Sequence, residues 1–202
     1  MRRLLTIIMG AAMVISVVGP VAGANPAREA GRLAESVARS SDPRAAFAAL
    51  SAREQQAVLD FTAAVSFTTE QGVVKTASAT VSSAAAAAAV QCWTWTWSRI
   101  GTNLFGFTVW KFSQKIDWCG DGIRITNVPV RTVWASDLGL WWAYHGLVGS
   151  STAGGMGSST YRSFVQGHLS YRPPVPALNQ DNHPWLDMTA HADGRGTGSG
   201  GG

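Results

Sequence analysis

Cys92 and Cys119 are the two cysteines of the chain, and a pair of thiols can bridge, hold a metal or attack a substrate. A metal pair needs His or acidic partners at ligand spacing. A nucleophilic thiol needs a base and leaves the second cysteine spare. In an exported chain the simplest outcome is one disulfide. Its Cα atoms are expected about 4.4–6.8 Å apart.

The other groups able to do chemistry form no recognisable constellation. His145, His168, His183 and His191 make neither H-x-x-x-H nor H-E-x-x-H. They read as structural or exposed histidines, so no metal and no cofactor is expected. The acidic residues after residue 90 are Asp117, Asp121, Asp137, Asp181, Asp187 and Asp193, with no glutamate. Asp121 and Asp193 precede glycine, where aspartate bonds its own backbone. A glycosidase would need two of these carboxylates to converge. Serine is plentiful, yet G-x-S-x-G is absent, and the small-residue run Gly149 to Ser159 lacks the Lys-Ser/Thr of a phosphate loop. That run reads as a mobile loop. No catalytic residues are expected, and the protein reads as a non-enzyme.

The aromatic residues point elsewhere. All nine tryptophans follow residue 90. Trp93, Trp95 and Trp97 alternate with Thr94 and Thr96, the period of a strand with one wall of indole. Such a wall either packs a core or offers sugar rings a flat platform. Trp141 and Trp142 are adjacent, and adjacent strand residues point to opposite faces. The expectation is a buried Trp141, with Trp142 and its same-face neighbour Tyr144 exposed beside the Gly149–Ser159 loop. Trp142 and Tyr144 are then the candidate contact residues for a glycan, cell-wall or protein partner.

These groups need positioning elements. Residues 1–24 read as a signal peptide: Arg2 and Arg3, the apolar run Leu4 to Val18, a Gly19-Pro20 break and the small-x-small site Ala22-Gly23-Ala24. The mature chain would begin at Asn25 and be secreted, with no stable membrane insertion after cleavage. Residues 25–66 read as a short helical segment. Asp42 precedes Pro43, and Ser51 with Glu54 forms a capping box. Residues 67–90 read as a low-complexity linker, ending in an alanine run. Residues 91–192 read as an antiparallel β-sandwich, jelly-roll-like, with one disulfide. Its candidate strands are Leu104 to Ile116, Ile123 to Thr126 after a Gly120–Gly122 hairpin, Val130 to Trp134, Trp141 to Val148, Tyr161 to Tyr171 and Trp185 to Ala192. Residues 193–202 are Gly-rich and read as a flexible tail. Removing Arg2 and Arg3 lowers the formal net charge from +4 to +2. Without a basic block, nucleic acid is not an expected partner.

The layout resembles uncharacterised secreted Trp/Gly-rich β-domain proteins of high-GC Gram-positive (actinobacterial) bacteria. The resemblance rests on Trp110-x7-Trp118-Cys119-x-Asp121-Gly122, on Tyr161-Arg162-x3-Gln166-Gly167 and on Thr189-x3-Asp193-Gly194. It spans roughly residues 92–196 and implies export and the fold class, but no activity. One departure is that no cysteine follows Gln166-Gly167. The first expectation is therefore a secreted non-enzymatic binding or interaction module. The alternatives are a small cell-wall or polysaccharide hydrolase and a secreted antagonistic peptide or toxin.

Overall fold

The computed structural model describes residues 25–76 and 90–202. The expected signal peptide, and residues 77–89 of the expected linker, lie outside the described residues. No described helix is long and apolar enough to cross a membrane.

Three helices come first: α1 (Pro26–Ala38), α2 (Pro43–Ala48) and α3 (Ala52–Thr62). Their starts are chemical. Asn25 and Asp42 cap α1 and α2 with proline in the first turn, and Ser51 and Glu54 close a reciprocal box on α3. α2 and α3 are expected from the sequence, and α1 is not. That helix buries small residues, Ala30, Ala34 and Val37, yet Asn25 before Pro26 carries the same start signal as Asp42 before Pro43. The helices are not a detached spacer. Their cluster of Val37, Phe47, Val58 and Leu59 extends to Leu140, Trp141 and Val175 of the β region.

Nine strands follow among the described residues. β1 (Ser66–Thr76), β2 (Gln91–Thr102), β3 (Thr108–Gly120) and β4 (Val130–Ser136) form a first antiparallel sheet in chain order. β5 (Trp142–Gly154), β6 (Thr160–Tyr171), β8 (Trp185–His191) and β9 (Gly196–Gly201) form a second, with the short β7 (Gln180–Asn182) on β6. The sheets share one core. The first contributes Trp95, Trp97, Trp110, Phe112, Ile116 and Trp118; the second contributes Tyr161, Val165, Leu169, Leu186 and Met188. The chain is thus mainly β, with two antiparallel sheets, one disulfide and a helical N-terminal segment. Its connectivity is plainer than a jelly roll. The first sheet pairs only chain neighbours and the second nearly so, which closes the shortest loops.

Four expectations need correction. Residues 66–76 are strand β1, paired with β2 from Ser66–Thr102 to Thr76–Cys92, rather than linker. An edge strand needs one partner and shows no strong apolar alternation. The Gly149–Ser159 run is strand as far as Gly154, in register with Tyr161–Gln166, so the turn is confined to what remains. Residues 123–126 do not resume a strand. Asp121 Oδ1 accepts from the N–H groups of Ile123 and Arg124, holding the backbone in a turn. Within that turn Ile125 is buried and bridges Gly120.

The fourth concerns the C-terminus. The expected flexible tail contains β9, paired with β8 from Ala190–Gly196 to Trp185–Gly201. Its alternate glycines lie under the β2 indoles: Gly194 under Trp93, Gly196 under Trp95 and Gly198 under Trp97. A Cβ on Gly196 would stand 2.7 Å from Trp95 Cε3, closer than any ordinary contact. The absence of apolar side chains, which suggests a loose end in the sequence, is what lets the strand approach the tryptophans.

Candidate functional site

Cys92 and Cys119 are bonded, with Cα atoms 4.0 Å apart, nearer than the expected range. They are directly opposite in the β2–β3 register. Cys119 turns its own backbone away from β2, donating to Asn127 Oδ1 and accepting from Thr126 N–H. The pair is therefore the non-hydrogen-bonded kind, in which Cα atoms approach most closely. The disulfide joins two paired strands.

The expected contact residues face the wrong way. Trp142 is 7% exposed, stacks on Tyr171 with centroids 5.2 Å apart, and donates from Nε1 to Thr62 O at 2.7 Å. Tyr144 is half-buried and packs toward Phe112 and the core. Trp141 is the partly exposed member, at φ +66°. That left-handed backbone, rare for a bulky residue, breaks the alternation the sequence argument assumed. It turns the Trp141 ring edge-on to Phe47 at 5.4 Å. The indole then bridges the helices and the sheets. Thr62 is the polar joint beside it, bonded to the Tyr171 hydroxyl at 2.6 Å. Burial raises the Tyr171 hydroxyl to about 12 against the lowering effect of that bond.

The outward face of the second sheet is where unspent side chains gather. Phe164 and Trp185, on paired strands β6 and β8, lie side by side with centroids 6.4 Å apart, both half-buried. The Trp185 indole reaches across to Gly201, where a Cβ would stand 2.8 Å from its Nε1. Further along β6, His168 stacks between His145 and His183 at 4.7 and 4.8 Å. His168 Nε2 lies 2.9 Å from Asp181 Oδ1, and His145 Nε2 lies 2.7 Å from Ser170 Oγ. Arg172 holds both Asp181 oxygens. The His168 bond and then the Arg172 bond hold the Asp181 carboxyl below the usual carboxylate range. Gln166 lies between the aromatic pair and the imidazoles, reaching His183 O at 3.4 Å.

The imidazoles are stacked side by side, and among the described residues no three His, Cys, Asp or Glu converge on a metal-sized point. Other carboxylates are spent locally. Asp117 meets Lys115 and Thr94, Asp187 meets Arg162, and Asp121 and Asp193 cap their own turns. An apolar cleft of about 300 Å³ lies between α1 and the β2–β3 turn, lined among others by Ala34, Phe61, Phe107 and Leu140. Its buried amide, Asn103, is already committed to Phe61 O and to the N–H groups of Phe105 and Phe107.

Part of this face is present as a pattern in the chain. Phe164-x-Gln166-x-His168 is an outward row at strand period, and Asp181-x-His183 repeats the spacing. Neither stands out without knowing which side of each strand the core occupies. His145 joins only because the β5–β6 register shifts between Tyr144 and Leu147, with Gly146 at φ +95°, a bulge that re-aims the neighbouring side chain. No family model, no curated protein and no solved structure matches the chain.

Proposed function

We propose that this chain is an exported, non-enzymatic binding module whose contact face is the outward side of the second sheet. One observation carries the reading: the Phe164–Trp185 pair points away from the core, beside Gln166, His168, His183 and Asp181. Sugar C–H faces stack on indole planes, and a few fixed polar groups then bond the hydroxyls. A cell-envelope glycan is the target class that suits this surface. Retention of the mature chain on insoluble polysaccharide and cell-wall sacculi tests it. Trp185→Ala is expected to lose retention while the domain stays folded, at a stability cost well below that of Trp142→Ala. Equal retention of both proteins, or none by the wild type, would overturn the reading.

A second reading has one observation in its favour, the 2.7 Å contact of His145 with Ser170. A serine hydrolase also needs a carboxylate on the same imidazole, whereas Asp181 bonds His168. Ser170 is itself buried. No turnover of p-nitrophenyl esters is expected; turnover abolished by Ser170→Ala would favour the hydrolase.

A further inference from the structure

Among the described residues β9 ends its sheet, and this edge has properties that the carbohydrate reading does not use. His191 N–H donates to Arg195 O at 2.8 Å, and this bond sets the phase of the β8–β9 ladder. Thr189–Thr197, Asp187–Ser199 and Trp185–Gly201 are then the hydrogen-bonded pairs. By the same alternation, the N–H and C=O groups of Gly196, Gly198 and Gly200 point away from β8. Native edges are guarded by charge, proline or a bulge; Gly196–Gly201 has none of these.

The first sheet extends beyond this edge. The glycines of β9 cover the indoles of β2, so β1, one strand further out, projects past β9. Register places Thr69 opposite Arg99 and Gln71 opposite Trp97. Phe67, Thr69 and Gln71 therefore share the side of the sheet that the indoles occupy, and Thr69 and Gln71 are exposed. Arg99 leans over this ledge. Its Nη1 donates to Thr69 Oγ1 at 3.3 Å and its guanidinium lies 5.7 Å from the Phe67 ring centre. The buried Nε has no partner, and no carboxylate pairs with Arg99 among the described residues.

We propose that the β9 edge, above the Thr69–Gln71–Arg99 ledge, takes an extended acidic segment of a protein partner as an added strand. Main-chain bonds to Gly196, Gly198 and Gly200 would supply the docking, and a carboxylate on Arg99 the preference. A second copy of this chain does not fit. Two β9 edges paired antiparallel would bring the projecting β1 of each copy onto β2 of the other.

The probe is a panel of synthetic octapeptides alternating Thr and Val, carrying Asp at successive positions, with Lys in place of Asp as controls. Amide hydrogen exchange of the full mature chain is followed by NMR. At least one Asp peptide is expected to protect the amides of Gly196, Gly198 and Gly200 and to bind about tenfold more tightly than its Lys counterpart, a difference of about 1.4 kcal/mol. Arg99→Gln should erase that preference while the Lys peptides bind as before. Because the Asp–Lys comparison is made on the wild type, it stands even if the variant folds poorly. Three results would overturn the proposal: no protection by any peptide, equal binding of Asp and Lys peptides, or concentration-dependent protection without peptide. Cellulose or sacculus retention is untouched in each case, so this surface and the Trp185 face fail independently.

Discussion

Two aromatic rows of this molecule have the same period and opposite fates. On β2, Trp93, Trp95 and Trp97 alternate along the strand and are all buried. On the second sheet, Phe164 leads an equally regular row through Gln166 to His168, and none of the three is buried. The difference lies in what stands opposite. The β2 indoles face glycines, whose missing side chains leave room for rings between the sheets. The Phe164 row faces away from the shared core, and the glycines against it, Gly149 beside Phe164 and Gly201 beside Trp185, belong to its own sheet. Strand period shows that residues share a face; the partner strand decides whether that face is inside.

The largest effect is expected at two tryptophans of opposite fate, Trp142 and Trp185. Trp142→Ala removes a ring stacked on Tyr171 and orphans a bond to Thr62, with an expected loss of about 3–5 kcal/mol in urea unfolding. Trp185→Ala should cost well under half of that. Equal losses would mean that Trp185 belongs to the core.

Cys92→Ser tests how far pairing alone holds β2 to β3. Closing the intervening loop contributes about 3–4 kcal/mol in the chain-entropy model, and roughly 2–5 kcal/mol is typical of small secreted domains. Unfolding midpoints of the oxidised and reduced wild type should show the same gap. Identical midpoints would show that the ladder suffices.

Glycine is the sharper probe of the indole face. Gly198→Ala places a methyl inside the Trp97 ring, so a loss near the upper end of about 1–3 kcal/mol is expected. Ser199→Ala, one residue on and exposed, should change stability by no more than about 0.5 kcal/mol. A neutral Gly198→Ala would mean that β9 does not pack under β2.

The smallest effect is expected at the joint between the helices and the sheets. The folded Tyr171 hydroxyl titrates at about 12, above the ordinary tyrosine value of about 10. Since the folded value is raised, its contribution is complete below about pH 10 and is lost as pH rises toward 12. Tyr171→Phe should flatten the stability–pH curve in that window, and an unchanged slope would place the alkaline loss elsewhere.

The local chemistry of the chain was legible. Asp42-Pro43 and the Ser51–Glu54 box start helices because short polar side chains satisfy orphan N–H groups wherever they occur. The Trp93–Trp97 alternation defines a strand, as do Val130 to Trp134 and Tyr161 to Tyr171, because the pleat has period two in any context. The disulfide followed from counting. Other features depend on a neighbour that the linear chain does not name. Gly196 to Gly201 is a tail by composition and a strand by complementarity to indole. Trp141 and Trp142 exchanged their expected roles because a left-handed residue ahead of β5, held against Phe47, reset the alternation. His145, His168 and His183, far apart in sequence, stack through a bulge and the β6–β7 pairing. By itself the sequence determined the caps of α2 and α3, the strongly alternating strands and the bridge, since capping and pleat act over a few bonds and two cysteines allow one pairing. Which side of each strand is core, and which glycines and histidines meet, was decided by the packing of two sheets, because burial depends on what stands across the gap.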